Sequence, residues 1–539
     1  MQLPRKMALH DEAPACVLDA GIEGLWRASR AALGPVRAEA LDMRVWRIAC
    51  WHPPIVPMGQ ARRIGVKRMP GPLSALDATA QHELVASREV SARELVEAAI
   101  GRIAADPLAA LETPLAEFGI AAAEQPGLAQ RPLGGVPFLF KDAGASIAGL
   151  PQHLGSGLLR ELGRRAPETT PLGGRFRNAG LVCVGVSAMP EFGLQPTTQP
   201  VLHGPTSNPW GRDRSAGGSS GGAAAAVAAG LVPIAHASDI GGSIRIPAAF
   251  CGVVGLKPSR GRTSSLPIVD PNLVEHVICR SVRDAALALD LLAGPEAGDP
   301  YSLDLPADSF AASVLIDPRP LRIGFVTSVG RSAEPPHADC VEATLRAARL
   351  LESLGHDVSE VELDLTDDGF VEQTFLSISR ETSLMIEGIA GFVGRPLEQH
   401  DVEPFTWALA SAGAITSDAQ HAQSQAYERA YSARVSAWWT GEHDVLLTPA
   451  TGLPAPLLAD LVPPADDPLA ILPVFRAIWC FTQPFNITGQ PALSMPSGRS
   501  ASGLPGAVQL VAALGREDLL LALGAQLERA DPWRFPPGR

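Results

Sequence analysis

The chain has no uninterrupted apolar run long enough to cross a membrane. Its longest, from Ala223 to Ala237, is broken by Gly230, Pro233 and His236, whereas a membrane-spanning helix needs about 20 consecutive apolar residues. No membrane partner is expected. The first residues carry no apolar segment of the secretory kind, so no signal peptide is expected either. Cysteine is sparse and odd in number, with 7 in 539 residues, and none forms a Cys-x-x-Cys pair. That pattern reads as reduced thiols in a cytoplasmic protein rather than a disulfide framework. There is no His-Glu-x-x-His and no Cys/His cluster, so no metal is expected. Positive charge is in deficit: 44 Lys and Arg against 57 Asp and Glu give a net charge of −13, which argues against a nucleic-acid partner. What remains is an ordinary globular composition, 46% hydrophobic and 19% charged. Length alone does not decide the number of domains.

What stands out instead is a pair of glycine-rich turns, each holding a hydroxyl. Arg214-Ser215-Ala216-Gly217-Gly218-Ser219-Ser220-Gly221-Gly222 is followed by an alanine run, then by Ile240-Gly241-Gly242-Ser243-Ile244-Arg245-Ile246-Pro247. Glycine allows positive φ and close approach of other atoms. In isolation Gly-Gly-Ser-Ser-Gly-Gly reads as a flexible linker. A helix, a strand and a second Gly-Gly-Ser immediately after it argue against that. The first turn also fits Gly-x-Ser-x-Gly at both Ser219 and Ser220, the nucleophile elbow of α/β hydrolases. An elbow needs a strand directly before it, and Ser207 to Arg214 reads as loop. Upstream, Gly134-Gly135-Val136-Pro137-Phe138-Leu139-Phe140-Lys141-Asp142 places a lysine at the end of an apolar run.

These three segments resemble the amidase signature family. The resemblance continues through Cys251-Gly252-Val253-Val254-Gly255-Leu256-Lys257-Pro258 and Pro484-Phe485-Asn486-Ile487-Thr488-Gly489-Gln490-Pro491, and covers roughly Leu73 to Trp533. It implies an α/β fold with a mixed central β-sheet sandwiched between layers of α-helices. It implies a small-molecule amide substrate, an acyl-enzyme intermediate and no cofactor. Ser243 matches the family nucleophile, Ser219 the cis-serine that relays protons and Lys141 the base. The oxyanion hole would be formed by the N–H groups of Ile240, Gly241 and Gly242, with that of Ser243. A homodimer is left open. Pro190-Glu191-Phe192-Gly193, His236-Ala237-Ser238-Asp239 and Arg280-Ser281-Val282-Arg283-Asp284 are similar to the aminohexanoate cyclic dimer hydrolase group. His153 departs from the threonine common in the family. Two rival readings share the scaffold. The A subunit of a glutamyl-tRNA(Gln) amidotransferase usually has Gln where Ile246 stands. An inactive binding protein would not be expected to keep all three triad positions.

A lysine is a base only when neutral, and its free pKa is about 10.4, so its surroundings must lower it. Val136, Phe138 and Phe140 are the expected apolar setting, while strand alternation sends Asp142 to the other face. Arg245 and Asp239 are expected to brace the second turn as an ion pair, and His236 to be a core residue.

Alternation of helices and short apolar strands also reads as an α/β layered fold. Ser91-Ala92-Arg93-Glu94 is a capping box opening a helix whose buried stripe is Leu95, Val96, Ala99 and Ile103. Strands are expected at 136–140, 181–186, 231–235, 321–326, 358–361, 445–447 and 508–511. Helices are expected at 222–229 and 517–528, the latter burying Leu519, Leu520, Leu523 and Leu527. The catalytic domain is expected over residues 69–539. Residues 1–68, with Trp26, Trp46 and Trp51 and a basic cluster at Arg62, Arg63, Lys67 and Arg68, show no amphipathic period and read as a poorly ordered extension. A chain beginning at Met69 is therefore expected to melt and turn over substrate like the full chain. A large fall in Tm in that truncated protein would show that the first 68 residues share the core.

Overall fold

A computed structural model of the chain describes residues 72–330, 334–367 and 369–536. The extension read at residues 1–68 lies outside them. The strands are β1 (Leu111–Pro114), β2 (Pro137–Lys141), β3 (Val182–Ser187), β4 (Ser207–Asn208), β5 (Gly211–Ser215), β6 (Ile234–Asp239), β7 (Val254–Lys257), β8 (Val274–Cys279), β9 (Arg322–Phe325), β10 (Asp357–Glu360), β11 (Val445–Pro449), β12 (Ala492–Arg499) and β13 (Pro505–Ala512). Eleven of them form one sheet in the order β1-β3-β2-β6-β8-β7-β12-β13-β11-β9-β10, and β4 and β5 pair separately.

The sheet is mixed. β3, β2 and β6 run parallel, as do β11, β9 and β10. Between these groups every neighbouring pair is antiparallel. The central strands are buried on both faces, which is why they read as apolar runs rather than alternating ones. In β2, Phe138 and Phe140 join Phe176, Val277, Leu289 and Leu510 on one side. Leu139 joins Val184, Ala235 and the alanines of the helix Gly221–Ala228 on the other. This is the expected sheet between helical layers. Among the described residues no helix is long and apolar enough to cross a membrane.

Local signals held where the chemistry is local. Ser91 and Glu94 form the reciprocal capping box of the helix Ala92–Ala104, and the buried residues are those of the expected stripe. Three readings shift. The strand placed at 231–235 is β6, starting at Ile234. The Leu231 N–H closes back on Ala226 O at 2.9 Å, and Pro233 has no N–H to give a ladder. In the helix Glu517–Ala530 it is Leu521 that is buried, while Leu519 is only partly so. The residues before Ser215 are not loop but the β4–β5 hairpin.

The helix Gly221–Ala228 is buried at every residue. It lies so close to β3 that a Cβ on Gly222 would collide with Ala110 O and with the backbone of Ala188. Gly222→Ala is therefore expected to destabilise the protein by about 1–3 kcal/mol, the usual cost of overpacking. Urea unfolding of wild type and variant measures it, and an unchanged midpoint would show that the helix can back away from the sheet.

Candidate active site

Lys141 ends β2 and Asp239 ends β6, its parallel neighbour, so both side chains emerge at one edge of the sheet. The first glycine-rich turn crosses that edge, and its Gly218–Ser219 peptide bond is cis. Lys141 Nζ donates to Ser219 Oγ at 2.7 Å and to Ser238 Oγ at 2.9 Å. The lysine is buried. Burial pushes its pKa down to about 7, against the opposing pull of Asp239 and Glu275.

The second turn, Ile240 to Ser243, joins β6 to the helix Arg245–Cys251. Asp239 organises it. Its carboxylate accepts the N–H groups of Gly242 at 2.8 Å and Ile244 at 3.1 Å. It also takes Arg245 in a fork, Nε at 3.0 Å and Nη2 at 2.9 Å. Arg245 in turn donates to Thr482 O and Gln509 Oε1 at 2.8 and 2.7 Å, and to Asn486 Oδ1. Both ions are fully buried. Burial opposes ionisation of Asp239, but the charge and hydrogen bonds of Arg245 outweigh it and hold the carboxyl well below the usual range. Gly242 has φ +129°, and a Cβ there would strike Thr482, so only glycine fits.

The expected residues meet, with one link unformed. Ser220 N–H donates to Ser243 O at 3.2 Å, which joins the two turns through their backbones. Among the described residues no hydrogen bond joins the Ser219 and Ser243 hydroxyls. The Gly242 amide is engaged by Asp239, which leaves the amides of Ile240, Gly241 and Ser243 without an intramolecular acceptor among the described residues. A Cβ on Gly241 would meet open space. Ser220 is fully buried and donates to Ser238 O at 3.3 Å. The strand before it, β5, is not in the central sheet, so this is no elbow.

Other expectations divide. Asp142 does point away from the lysine. It accepts the N–H groups of His153 at 2.7 Å and Gly155 at 2.8 Å. Phe138 and Phe140 lie on the face of β2 opposite Leu139, and Phe140 packs against the ring of His236 with centroids 6.0 Å apart. His236 is a buried, hydrogen-bonded core residue, as expected. Its partner was missed: Nε2 lies 2.8 Å from Glu275 Oε2, while Nδ1 accepts the Lys141 N–H at 3.2 Å. The available signal was an acid inside the apolar run Val274-Glu275-His276-Val277-Ile278-Cys279.

One group among the described residues has metal-ligand spacing: Glu112, Asp142 and His153, whose candidate atoms lie within 4.8 Å of one another. All three are already satisfied. His153 Nδ1 is 2.9 Å from Glu112 Oε1, and Asp142 holds two amides. They read as a brace for the loop after β2.

Known proteins resemble this chain along nearly its whole described length. The model of the Amidase family matches residues 94–521. The 6-aminohexanoate-cyclic-dimer hydrolase of Pseudomonas sp. (strain NK87) is 40% identical over 473 residues, covering 85% of this chain and 95% of that protein. The solved structure of a 6-aminohexanoate cyclic dimer hydrolase complexed with substrate superposes with a TM-score of 0.82 at 37% identity, covering 86% of this chain and 99% of that one. A bacterial aryl acylamidase of the amidase signature enzymes superposes with a TM-score of 0.78 at 29% identity, covering 87% and 100%. The buried ion pair gives a direct test of how the second turn is held. Asp239→Asn is expected to cost about 3–5 kcal/mol, because it leaves Arg245 buried and uncompensated. Denaturant unfolding of that variant checks it, and a loss below about 1 kcal/mol would mean that the three remaining acceptors of Arg245 suffice.

Proposed function

This chain belongs to the amidase signature family and is an amide hydrolase, and we propose that it cleaves a small-molecule carboxamide through Lys141, Ser219 and Ser243 by way of an acyl-enzyme. One observation carries the reading. A buried lysine, its pKa lowered to about 7, has its Nζ 2.7 Å from the hydroxyl of Ser219. Near neutral pH such a lysine is available as a free amine and can accept a proton.

Ser243 Oγ turns toward Ser219 and attacks the carbonyl carbon. Its proton moves to Ser219 Oγ while the proton of Ser219 moves to Lys141 Nζ. The carbonyl oxygen becomes an oxyanion facing the N–H groups of Ile240, Gly241 and Ser243, with Gly242 shaping the turn that presents them. One such donor is typically worth about 3 kcal/mol. The C–N bond then breaks, and the departing amine takes the proton back from Lys141 through Ser219. Water attacks the Ser243 ester and gives its proton to the same relay. Ser243 leaves as the hydroxyl, and the carboxylic acid is released. The relatives at 40% identity are named for a cyclic amide, and we extend that class to this chain: a small amide, cyclic or linear. No specific observation favours the amidotransferase-subunit reading.

A fluorophosphonate is expected to modify Ser243, located by mass spectrometry, and Ser243→Ala to abolish hydrolysis of a cyclic amide without lowering Tm. Modification at Ser220 would overturn the assignment. As pH falls below about 7, Lys141 takes up a proton and ceases to be a base. The ratio kcat/KM is therefore expected to drop about tenfold per unit on the acid side. Lys141→Ala is expected to remove most activity and that acid limb. An acid limb unchanged in the variant would exclude the lysine as the titrating base.

A further inference from the structure

We propose that the buried His236–Glu275 pair is the positioning device for Lys141, holding the backbone of the lysine through His236 and favouring its ammonium form with the negative charge of Glu275. The proposal rests on the reading of Lys141 as the base.

The hydrogen bonds assign the pair its state. The Lys141 N–H can only donate, so His236 Nδ1, 3.2 Å away, accepts. The imidazole proton therefore sits on Nε2 and donates to Glu275 Oε2 at 2.8 Å. The same carboxylate oxygen accepts the Ala145 N–H at 2.7 Å. Both side chains are almost wholly buried. The ring of His236 is held edge-on by Phe176 and Phe140, with centroids 5.5 and 6.0 Å away. The carboxylate thus clamps both ends of the segment that follows the lysine: Lys141 through the imidazole and Ala145 directly.

The charge has a second consequence. Every hydrogen bond that Glu275 accepts through its carboxylate comes from a neutral donor. A buried carboxylate without a cation in contact is costly, and Lys141 in its protonated state supplies a charge that acts on this one. The other groups around the lysine are committed to partners of their own or are uncharged. Asp239 acts on it more strongly than Glu275 does, but Arg245 and Lys257 stand against that carboxylate. Asp142 is directed to the amides of His153 and Gly155. His276, beside Glu275 on β8, is pushed down to about 3 by burial and carries no charge. Ser187, Ser219 and Ser238 are neutral. Burial favours the free amine that accepts a proton, and Glu275 favours the ammonium that must hold it until the amine departs. The two opposing influences keep the lysine usable in both directions.

Glu275→Gln separates charge from geometry. The Gln carbonyl can still accept from His236 and Ala145, while the negative charge is gone. The acid limb of kcat/KM in that variant is expected to move to lower pH by about one unit, because loss of the carboxylate lowers the proton affinity of the lysine. A limb at the wild-type pH overturns the charge role. His236 variants test the positioning role, and they decide it even where Glu275→Gln does not fold. His236→Leu, which accepts nothing from Lys141, is expected to lower kcat at least about tenfold, counted per Ser243 titrated with fluorophosphonate, with KM unchanged. His236→Gln, whose carbonyl can accept from Lys141 and whose amide can donate to Glu275, is expected to restore most of it. Wild-type kcat in His236→Leu, or no recovery in His236→Gln, overturns positioning. Lys141→Ala measured alongside separates the two readings. Should its acid limb persist, the base assignment itself falls. Should its limb vanish while that of Glu275→Gln stays at the wild-type pH, only the present proposal falls.

Discussion

The pairing of Asp239 with Arg245 is the interaction on which the rest of the site depends. It stands at the meeting of five pieces of chain: the end of β6, the turn that carries Ser243, the helix Arg245–Cys251, the distant segment holding Thr482 and Asn486, and β13 with Gln509. Buried ion pairs rarely add net stability over well-packed apolar groups, because desolvation consumes most of the Coulomb gain. What this one adds is definition. Its fork geometry admits a single arrangement of partners, and that arrangement fixes the turn through the amides of Gly242 and Ile244. Asn486 closes the ring by donating to Asp239 Oδ1 at 2.8 Å.

Two kinds of carboxylate therefore surround Lys141, and they differ in what they face. Asp239 is committed to Arg245, and its remaining lone pairs go to the backbone of the turn and to Asn486. Glu275 meets an imidazole and a peptide N–H. Burial alone would press the lysine toward a neutral amine, while these charges pull the other way, and the balance lies near pH 7. A free lysine at pH 7 is almost wholly protonated and is no base. The same side chain in this edge of the sheet is poised between its two states.

The position of the site follows from the topology. β2 and β6 are parallel neighbours, so their carboxyl ends fall on the same edge, and in α/β sheets that edge is where loops gather to bind ligands. The antiparallel β8 then brings Glu275 back beside His236 from the other direction, with Ser238 opposite it in register. Lys141, His236 and Glu275 lie far apart in sequence and adjacent in three consecutive strands.

The sequence by itself determined whatever rests on local chemistry. Ser91 and Glu94 announced a capped helix because a capping box is completed within four residues. Gly217 to Gly222 and Gly241 to Gly242 announced tight turns because only glycine tolerates such approaches. The order of Lys141, Ser219 and Ser243 along the chain pointed to the site through its resemblance to a family. Fold class followed from the alternation of helices and apolar strands. The tertiary structure decided the rest. β7, β8 and β12, the middle of the sheet, were not read, because Gly255, the Glu275-His276 pair and Pro496 interrupt their apolar runs. The helices Phe370–Val393, Pro404–Ala414 and Asp418–Ser436 went unread as well. That Glu275 stands behind His236 is a matter of sheet register. Register is set by which strands pair across the whole domain, and nothing within a few residues of either position records it.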